Sequence, residues 1–249
     1  MSKQNLSFSW ARTGAMAAVA AAALALGGCA ATGSNPQDPY ESFNRKMQSF
    51  NDGVDDAVLK PVATGYKAVT PEPVRLGVGN FFGNLGDLWS LVNHLLQGNG
   101  EQAYNHVVRF STNTVLGLGG LLDIATAMGV DRQKQDFGRT LGAWGIKPGP
   151  YLVLPFMGPS TVRDTVALPV DWKGYVLSDM HPISHRNSLL GLKVVDDRAR
   201  LLQAGDMVDA VALDRYALMR DFYLQSRQNR GSDGRIEDMD AGKLPPEEE

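Results

Sequence analysis

The 249-residue sequence predicts an all-α fold made of many short helices, with no substantial sheet. Three observations carry this. Apolar residues recur three or four positions apart along most of the chain, the spacing of one helix face. Prolines and glycines cut those stripes short: six prolines fall between Pro148 and Pro182, and glycines number 27. Only PGPYLVLPFMGPS (148–160) has strand character. It has no evident partner strand, so it is expected to be an extended connector.

Asp38-Pro39-Tyr40-Glu41 reads as a helix start, with Asp38 as cap, Pro39 at the first helical position and Glu41 completing a capping box. Phe43, Met47, Phe50 and Val54 then form an apolar stripe, read as core with lipid contact as the alternative. Pro61 opens a second stretch, Val62 to Val69, and Thr70-Pro71-Glu72-Pro73 a third. Val74, Val78, Phe81 and Leu85 continue the spacing. Asp87 reads as a new cap before Leu88, Leu91, Val92, Leu95 and Leu96, and Gly98 as the stop. Ala103, Val107, Phe110 and Thr114 mark the next helix, and 116–120 (LGLGG) a hinge before an apolar helical segment, Leu121 to Met128. Ser160 is placed to cap a helix through Val166, and Leu189 to Gln228 reads as helix with a break at Gly205-Asp206. Gly79/Gly83 and Gly138/Gly142 are small-xxx-small pairs, suited to close helix approach or simply to helix ends. From Arg227 to Glu249 four basic and seven acidic residues leave too little apolar surface to offset ordering entropy, so a disordered tail is expected.

The N-terminus reads as an address. Lys3 and Arg12 precede an alanine-rich run ending at Leu26, too short to span a bilayer and of signal-peptide length. Leu26-Gly27-Gly28-Cys29 resembles the lipobox of bacterial lipoproteins, in which the cysteine is acylated and becomes the new N-terminus. Ala30, rather than aspartate, after that cysteine resembles sorting to the outer membrane of Gram-negative bacteria. The expected organisation is a signal peptide over 1–28, a lipidated tether over 29–37, a helical domain over 38–226 and an acidic tail over 227–249. After residue 28 the chain has 22 basic and 27 acidic side chains, and no basic run that would suit nucleic acid.

Chemistry-bearing patterns are sparse. Cys29 is the one cysteine, which excludes an internal disulfide framework and any Cys-based zinc site. Gly158-Pro159-Ser160-Thr161-Val162 lacks the second glycine of a nucleophile elbow, and 117–122 (GLGGLL) lacks the third glycine of a dinucleotide fingerprint. His181 and His185 are four apart, but Pro182 between them argues against one helix face. No catalytic, metal or cofactor site is expected. Asp55, Asp56, Asp87, Asp123 and Asp136 read mainly as caps or solvated residues, and Arg163-Asp164 as candidates for an internal polar site. Leu88 to Leu96, Leu116 to Met128 and Tyr151 to Met157, with Trp89, Trp144 and Trp172, suit a bilayer interface.

Several long motifs, in order, resemble the MlaA (VacJ) family of outer-membrane lipoproteins: 38–45 (DPYESFNR), 59–87 (LKPVATGYKAVTPEPVRLGVGNFFGNLGD), 92–98 (VNHLLQG), 109–125 (RFSTNTVLGLGGLLDIA), 136–164 (DFGRTLGAWGIKPGPYLVLPFMGPSTVRD) and 198–202 (RARLL). The resemblance implies a ring-shaped helical disc in the inner leaflet of the outer membrane, with a central amphipathic channel. It implies withdrawal of misplaced phospholipids from the outer leaflet and their transfer to a periplasmic carrier, with outer-membrane porin trimers as partners. By the same resemblance Phe50-Asn51 lies where the first helix adjoins the ring and limits passage. Leu121 to Trp144 forms a hairpin beside the channel, with Phe137, Gly142 and Gly145 allowing it to move, and Asp164 lies near the channel. Gly53 and Asp55-Asp56 make the end of the first helix more polar than that pattern implies. Two rival readings are a lipoprotein that only scaffolds porins, and a hidden phospholipase using Ser160 with His181 or His185.

Overall fold

The computed structural model describes residues 35–228; residues 1–34, where the signal peptide and lipidated Cys29 are expected, and residues 229–249 lie outside them. The first helix, α1 (Glu41–Val54), starts without a side-chain cap. Asp38 is drawn inward instead: it accepts hydrogen bonds from Asn44 (2.8 Å) and from the Tyr216 hydroxyl, with Arg220 3.4 Å away. A fully buried carboxylate needs a cation and donors more than a helix end needs a cap. A π-helical turn, Asp55–Leu59, runs from α1 straight into α2 (Lys60–Val69), so Pro61 sits within a continuing helix rather than opening a new one.

Helix α3 (Glu72–Leu96) continues through Asp87, which is not a cap but a buried mid-helix residue. It ends before Gly98, whose φ of +75° suits glycine, and Asn99 caps α4 (Gly100–Val115) by accepting from the Gln102 N–H. After the turn at 116–120, helix forms only as one turn, α5 (Ile124–Ala127). The expected longer segment is cut because Asp123 serves as its N-cap. Asp136 likewise caps α6 (Phe137–Ala143).

The proline-rich stretch is a sheet after all. Strands β1 (Tyr151–Leu154) and β2 (Gly158–Thr161) pair antiparallel, Tyr151 opposite Thr161 and Leu154 opposite Gly158, so the partner strand lay within the motif itself. The other edge of β1 has no third strand among the described residues. Side-chain amides of α1 close it. Asn44 donates to the Tyr151 carbonyl (3.0 Å) and accepts from the Val153 N–H (2.9 Å). Two helical turns later, Asn51 donates to the Leu154 carbonyl (2.9 Å) and accepts from the Phe156 N–H (2.8 Å). Seven residues bring both amides to one helix face, where they satisfy backbone groups that an open edge would orphan.

Helix α7 (Val162–Gly174) is capped by Thr161, not Ser160, and runs well past Val166. A 3-10 turn (Val176–Asp179) precedes α8 (Ile183–Val211), which passes through Gly205-Asp206 unbroken. The break falls later, where Asp214 accepts from the Ala217 N–H at the start of α9 (Arg215–Gln228). Arg198 of α8 grips Asp55 with two bonds of 2.7 and 2.6 Å, which accounts for the polar end of the first helix.

Polarity is inverted relative to a water-soluble domain. Apolar clusters are small: Tyr151, Val153, Tyr216 and Leu224 form one, and Ala63, Ala199 and Leu202 another. In α3 the buried positions include Asn84, Asp87, Ser90, Asn93 and His94, and in α4 His106, Arg109 and Asn113. Meanwhile Phe43 is 45% exposed and Phe50 47%, so the first-helix stripe read as core is divided: these two rings are exposed, while Met47 packs against the Tyr151 cluster. Val69, Leu95, Val115, Leu118 and Phe222 are also exposed. Among the described residues no helix is long and apolar enough to cross a membrane.

Candidate functional site

A cavity of about 620 Å³ lies where α3, the β1–β2 hairpin, α7 and α9 meet. Its walls are mostly apolar: Trp89 from α3, Leu154, Met157 and Pro159 from the hairpin, and Leu168 and Trp172 from α7. Pro169 within α7 also lines it.

One end is polar. Arg163 Nε lies 2.9 Å from Asp164 Oδ1, while the Tyr223 hydroxyl donates to Asp164 Oδ2 at 2.9 Å. Arg227 Nη1 reaches both oxygens of Asp136, at 2.9 and 2.7 Å, and its Nε lies 3.5 Å from Asp164. Arg227 therefore belongs to the helical domain rather than to the acidic tail. Asp171 accepts from the Trp89 indole and from the Phe137 N–H, each at 2.7 Å. Burial pushes both Asp136 and Asp171 above the usual carboxylate range, opposed by Arg227 at Asp136 and by those two donors at Asp171. Burial also lifts the Tyr175 hydroxyl, up to about 12. An apolar chamber with a charged, hydrogen-bonded end suits an amphipathic guest.

Glycines make this end possible, though not by helix backbone contact. A Cβ on Gly138 would stand 2.5 Å from Asp164 Oδ1, and one on Gly142 would stand 2.7 Å from Arg163 Nη1. On α3 the space above Gly79 is filled by the Arg200 guanidinium, and that above Gly83 by Arg132. The small-xxx-small pairs thus admit charged side chains from neighbouring elements.

The candidate residues are placed as follows. Asp164 is buried on the cavity wall and Gly142 lies beneath its partner Arg163. Phe137 begins α6, tied by its N–H to Asp171, and its ring meets Trp144 edge-on at 5.9 Å. Gly145 follows at φ +91° with open space beyond its Cα. Phe50 and Asn51 are not on the cavity wall but behind the hairpin that forms it: Phe50 packs edge-on against Phe156 (5.3 Å), and Asn51 holds the backbone on either side of Pro155. Cys29 lies outside the described residues. Ser160 is bonded to Thr165 (2.9 Å) and to its neighbour's carbonyl, while His181 and His185 are exposed and make no hydrogen bond to it.

A second polar cluster escaped sequence reading. Asp87 accepts from His106 Nδ1 (3.1 Å), Arg109 Nε (3.4 Å) and Arg132 Nε (3.0 Å), and Arg109 also holds Asp123 with two 2.9 Å bonds. Arg109 further donates to the Val130 carbonyl. Burial would raise Asp123, but hydrogen bonds from Thr126, Arg109 and Asn113 outweigh it and hold that carboxyl down at about 2. A signal existed: 84, 87, 90 and 94 on α3, and 106, 109 and 113 on α4, are polar at helical spacing.

Residues 36–230 match the family described as MlaA lipoprotein. An Escherichia coli protein named intermembrane phospholipid transport system lipoprotein MlaA is 38% identical over 216 residues, 82% of this chain and 85% of its own. The protein of the same name from Haemophilus influenzae is 35% identical over 225 residues, 86% and 89%. An uncharacterized Rickettsia bellii protein is 39% identical over 194 residues, 77% and 75%. A solved structure described as the structural basis for maintenance of bacterial outer membrane lipid asymmetry superposes with a TM-score of 0.66 at 34% identity, covering 76% of this chain and 96% of that one.

Proposed function

The chain belongs to the MlaA lipoprotein family, and from that premise we propose that it withdraws phospholipids from the outer leaflet of the outer membrane and hands them to a periplasmic carrier. The observation that carries the reading is the amphipathic cavity set inside a molecule with polar buried positions and many large apolar side chains exposed. Such a molecule is stable when lipid, not water, surrounds it, because bilayer solvent rewards exposed side chains like Phe43 and Leu95. Helices too short or too polar to span then suit residence in one leaflet, anchored at Cys29 and held beside porin trimers.

Energy dictates the cavity's form. An acyl chain of about sixteen carbons loses on the order of 12 kcal/mol if bared to water, at ~0.8 kcal/mol per methylene. The tails must therefore stay in contact with apolar walls such as Trp89, Leu154, Met157 and Leu168, while the head group meets Arg227, Asp136, Asp164 and Tyr223. In this reading the hairpin is a movable wall, its position set by Phe50 and Asn51 from behind. Helix α6, with Phe137, Gly142 and Gly145, forms the flexible border of the polar end.

The test is deletion of the gene in its own host, followed by measurement of phospholipid exposed in the outer leaflet. Exposure should rise, and be restored by the wild-type gene but not by one lacking Phe50 and Asn51. Unchanged exposure on deletion would sink transport and leave porin scaffolding as the role.

A further inference from the structure

A second cavity of about 260 Å³ lies beside the first and shares Arg227 with it. Four cations line it: Arg139 from α6, Lys147 from the following loop, Arg163 from α7 and Arg227 from α9. No carboxylate lines it. The nearest acids are Asp136, shared by Arg139 (3.8 Å) and Arg227 (2.7 Å), and Asp164, shared by Arg163 (2.9 Å) and Arg227 (3.5 Å). Four cations against two carboxylates leave two positive charges unmatched, and exposed Lys147 has no ion-pair partner among the described residues.

Donors are unmatched as well. The Arg163 side chain is only 4% exposed, and its Nη2 is buried with no hydrogen-bond partner; Arg139 Nε is in the same condition. Buried guanidinium hydrogens left unpaired are costly, and a folded chain keeps them when something else satisfies them. Gly142 clears the space the Arg163 guanidinium occupies; Nη1 donates to the Ile146 carbonyl (3.3 Å) and Nε meets Asp164, which leaves Nη2 as the unpaired nitrogen at the cavity wall. The forked guanidinium geometry matches phosphate oxygens, which it can engage in pairs.

We propose that Arg139, Lys147, Arg163 and Arg227 form a binding site for the phosphate group of a phospholipid, with the acyl chains in the adjoining apolar cavity. The site rests on the transport reading for its lipid source; its chemistry would equally take free inorganic phosphate. At ~30 Å³ per water the cavity holds several waters, enough for a phosphate and its nearest ester groups.

The test uses the full-length lipoprotein in nonionic detergent. Equilibrium binding of palmitoyl-oleoyl-phosphatidylglycerol is compared with that of palmitoyl-oleoyl-glycerol, which has the same chains and no phosphate, and inorganic phosphate is titrated separately. Arg139→Gln with Lys147→Gln removes two of the four cations, one half-buried and one exposed, and Lys67→Gln on α2 controls for general charge; thermal melts verify folding. Wild type should prefer the phospholipid at least tenfold, about what one charge-assisted contact supplies. The double variant should lose that preference, and Lys67→Gln should keep it. No phospholipid preference, but phosphate binding that the double variant abolishes, would keep the anion site and assign it to free phosphate. A preference untouched by the double variant, or no dependence on phosphate in either arm, overturns the site. Failure of wild type to bind either lipid counts against transport itself, and the phosphate arm then judges the site alone.

Discussion

Replacing Asn44 with alanine removes the amide on which α1, the hairpin and α9 converge. Asn44 is fully buried and makes three bonds: to Asp38 (2.8 Å), to the Tyr151 carbonyl (3.0 Å) and from the Val153 N–H (2.9 Å). Alanine leaves a carboxylate oxygen, a carbonyl and an amide short of a partner where water does not reach. At ~1–3 kcal/mol for each orphaned buried group the loss is about 4 kcal/mol, a large part of the ~5–15 kcal/mol typical of a folded domain. Asn51→Ala also breaks two hairpin bonds, but the Phe156 turn is exposed and water replaces the amide, so about 1 kcal/mol is expected. Urea unfolding of the full-length proteins in one detergent, followed by tryptophan fluorescence, gives both midpoints. A loss below ~1 kcal/mol for Asn44→Ala, or equal losses for the two variants, would refute the argument that burial makes the difference.

Asp87→Ala strands Arg109 and His106, both buried, and should cost ~3–5 kcal/mol in the same assay; a wild-type midpoint would show that Asp123 alone can carry the cluster. His94, stacked 5.1 Å from His106, is held down at about 4 by burial, with the nearby His106 adding to it against a bond to the Gln133 carbonyl. The unfolded imidazole takes up its proton near pH 6.5, so its contribution is complete above that pH. Stability should fall as pH drops from about 6.5 towards 4, by about 3 kcal/mol at most. Asp136 and Asp171, raised by burial, act in the opposite sense, so the profile is compared with that of His94→Gln; urea midpoints that fall no more steeply in wild type than in the variant would contradict the burial of a neutral ring, and Asp123 titrates lower. Gly142→Ala pushes a methyl to 2.7 Å from Nη1 of an Arg163 guanidinium held at Nη1 by the Ile146 carbonyl and at Nε by Asp164, and should cost ~1–3 kcal/mol. Gly79→Ala displaces the end of Arg200 from its bonds to Asp196 (2.9 Å) and to the Arg75 carbonyl (2.9 Å); that side chain is partly exposed and solvent takes over its donors, so the midpoint should move by less than for Gly142→Ala.

Local signals were legible wherever backbone chemistry settles the outcome. Pro71 and Pro73 at the head of α3, Gly98 at its end, and Asp123 and Asp136 before short helices act over one turn of chain, and their neighbours in sequence suffice. The apolar and polar stripes were legible as periodicity. Their sense was not. Periodicity says that a helix has two faces; which face turns inward depends on the surrounding solvent, and Asn84, Asp87, His106 and Arg109 turned inward.

By itself the sequence determined the helical class, some helix ends such as Pro71 and Gly98, the family and the lipobox-like cysteine, because each depends on short-range geometry or on contiguous motifs. Tertiary structure decided the rest. Asp38 left its expected cap for Tyr216, 178 residues away, and Asn44 and Asn51 met β1 across more than a hundred residues. Arg227 closed onto Asp136, and Gly138 and Gly142 made room for Asp164 and Arg163. A buried polar group is stable only beside its complement, and that complement is chosen by packing in space, not by distance along the chain.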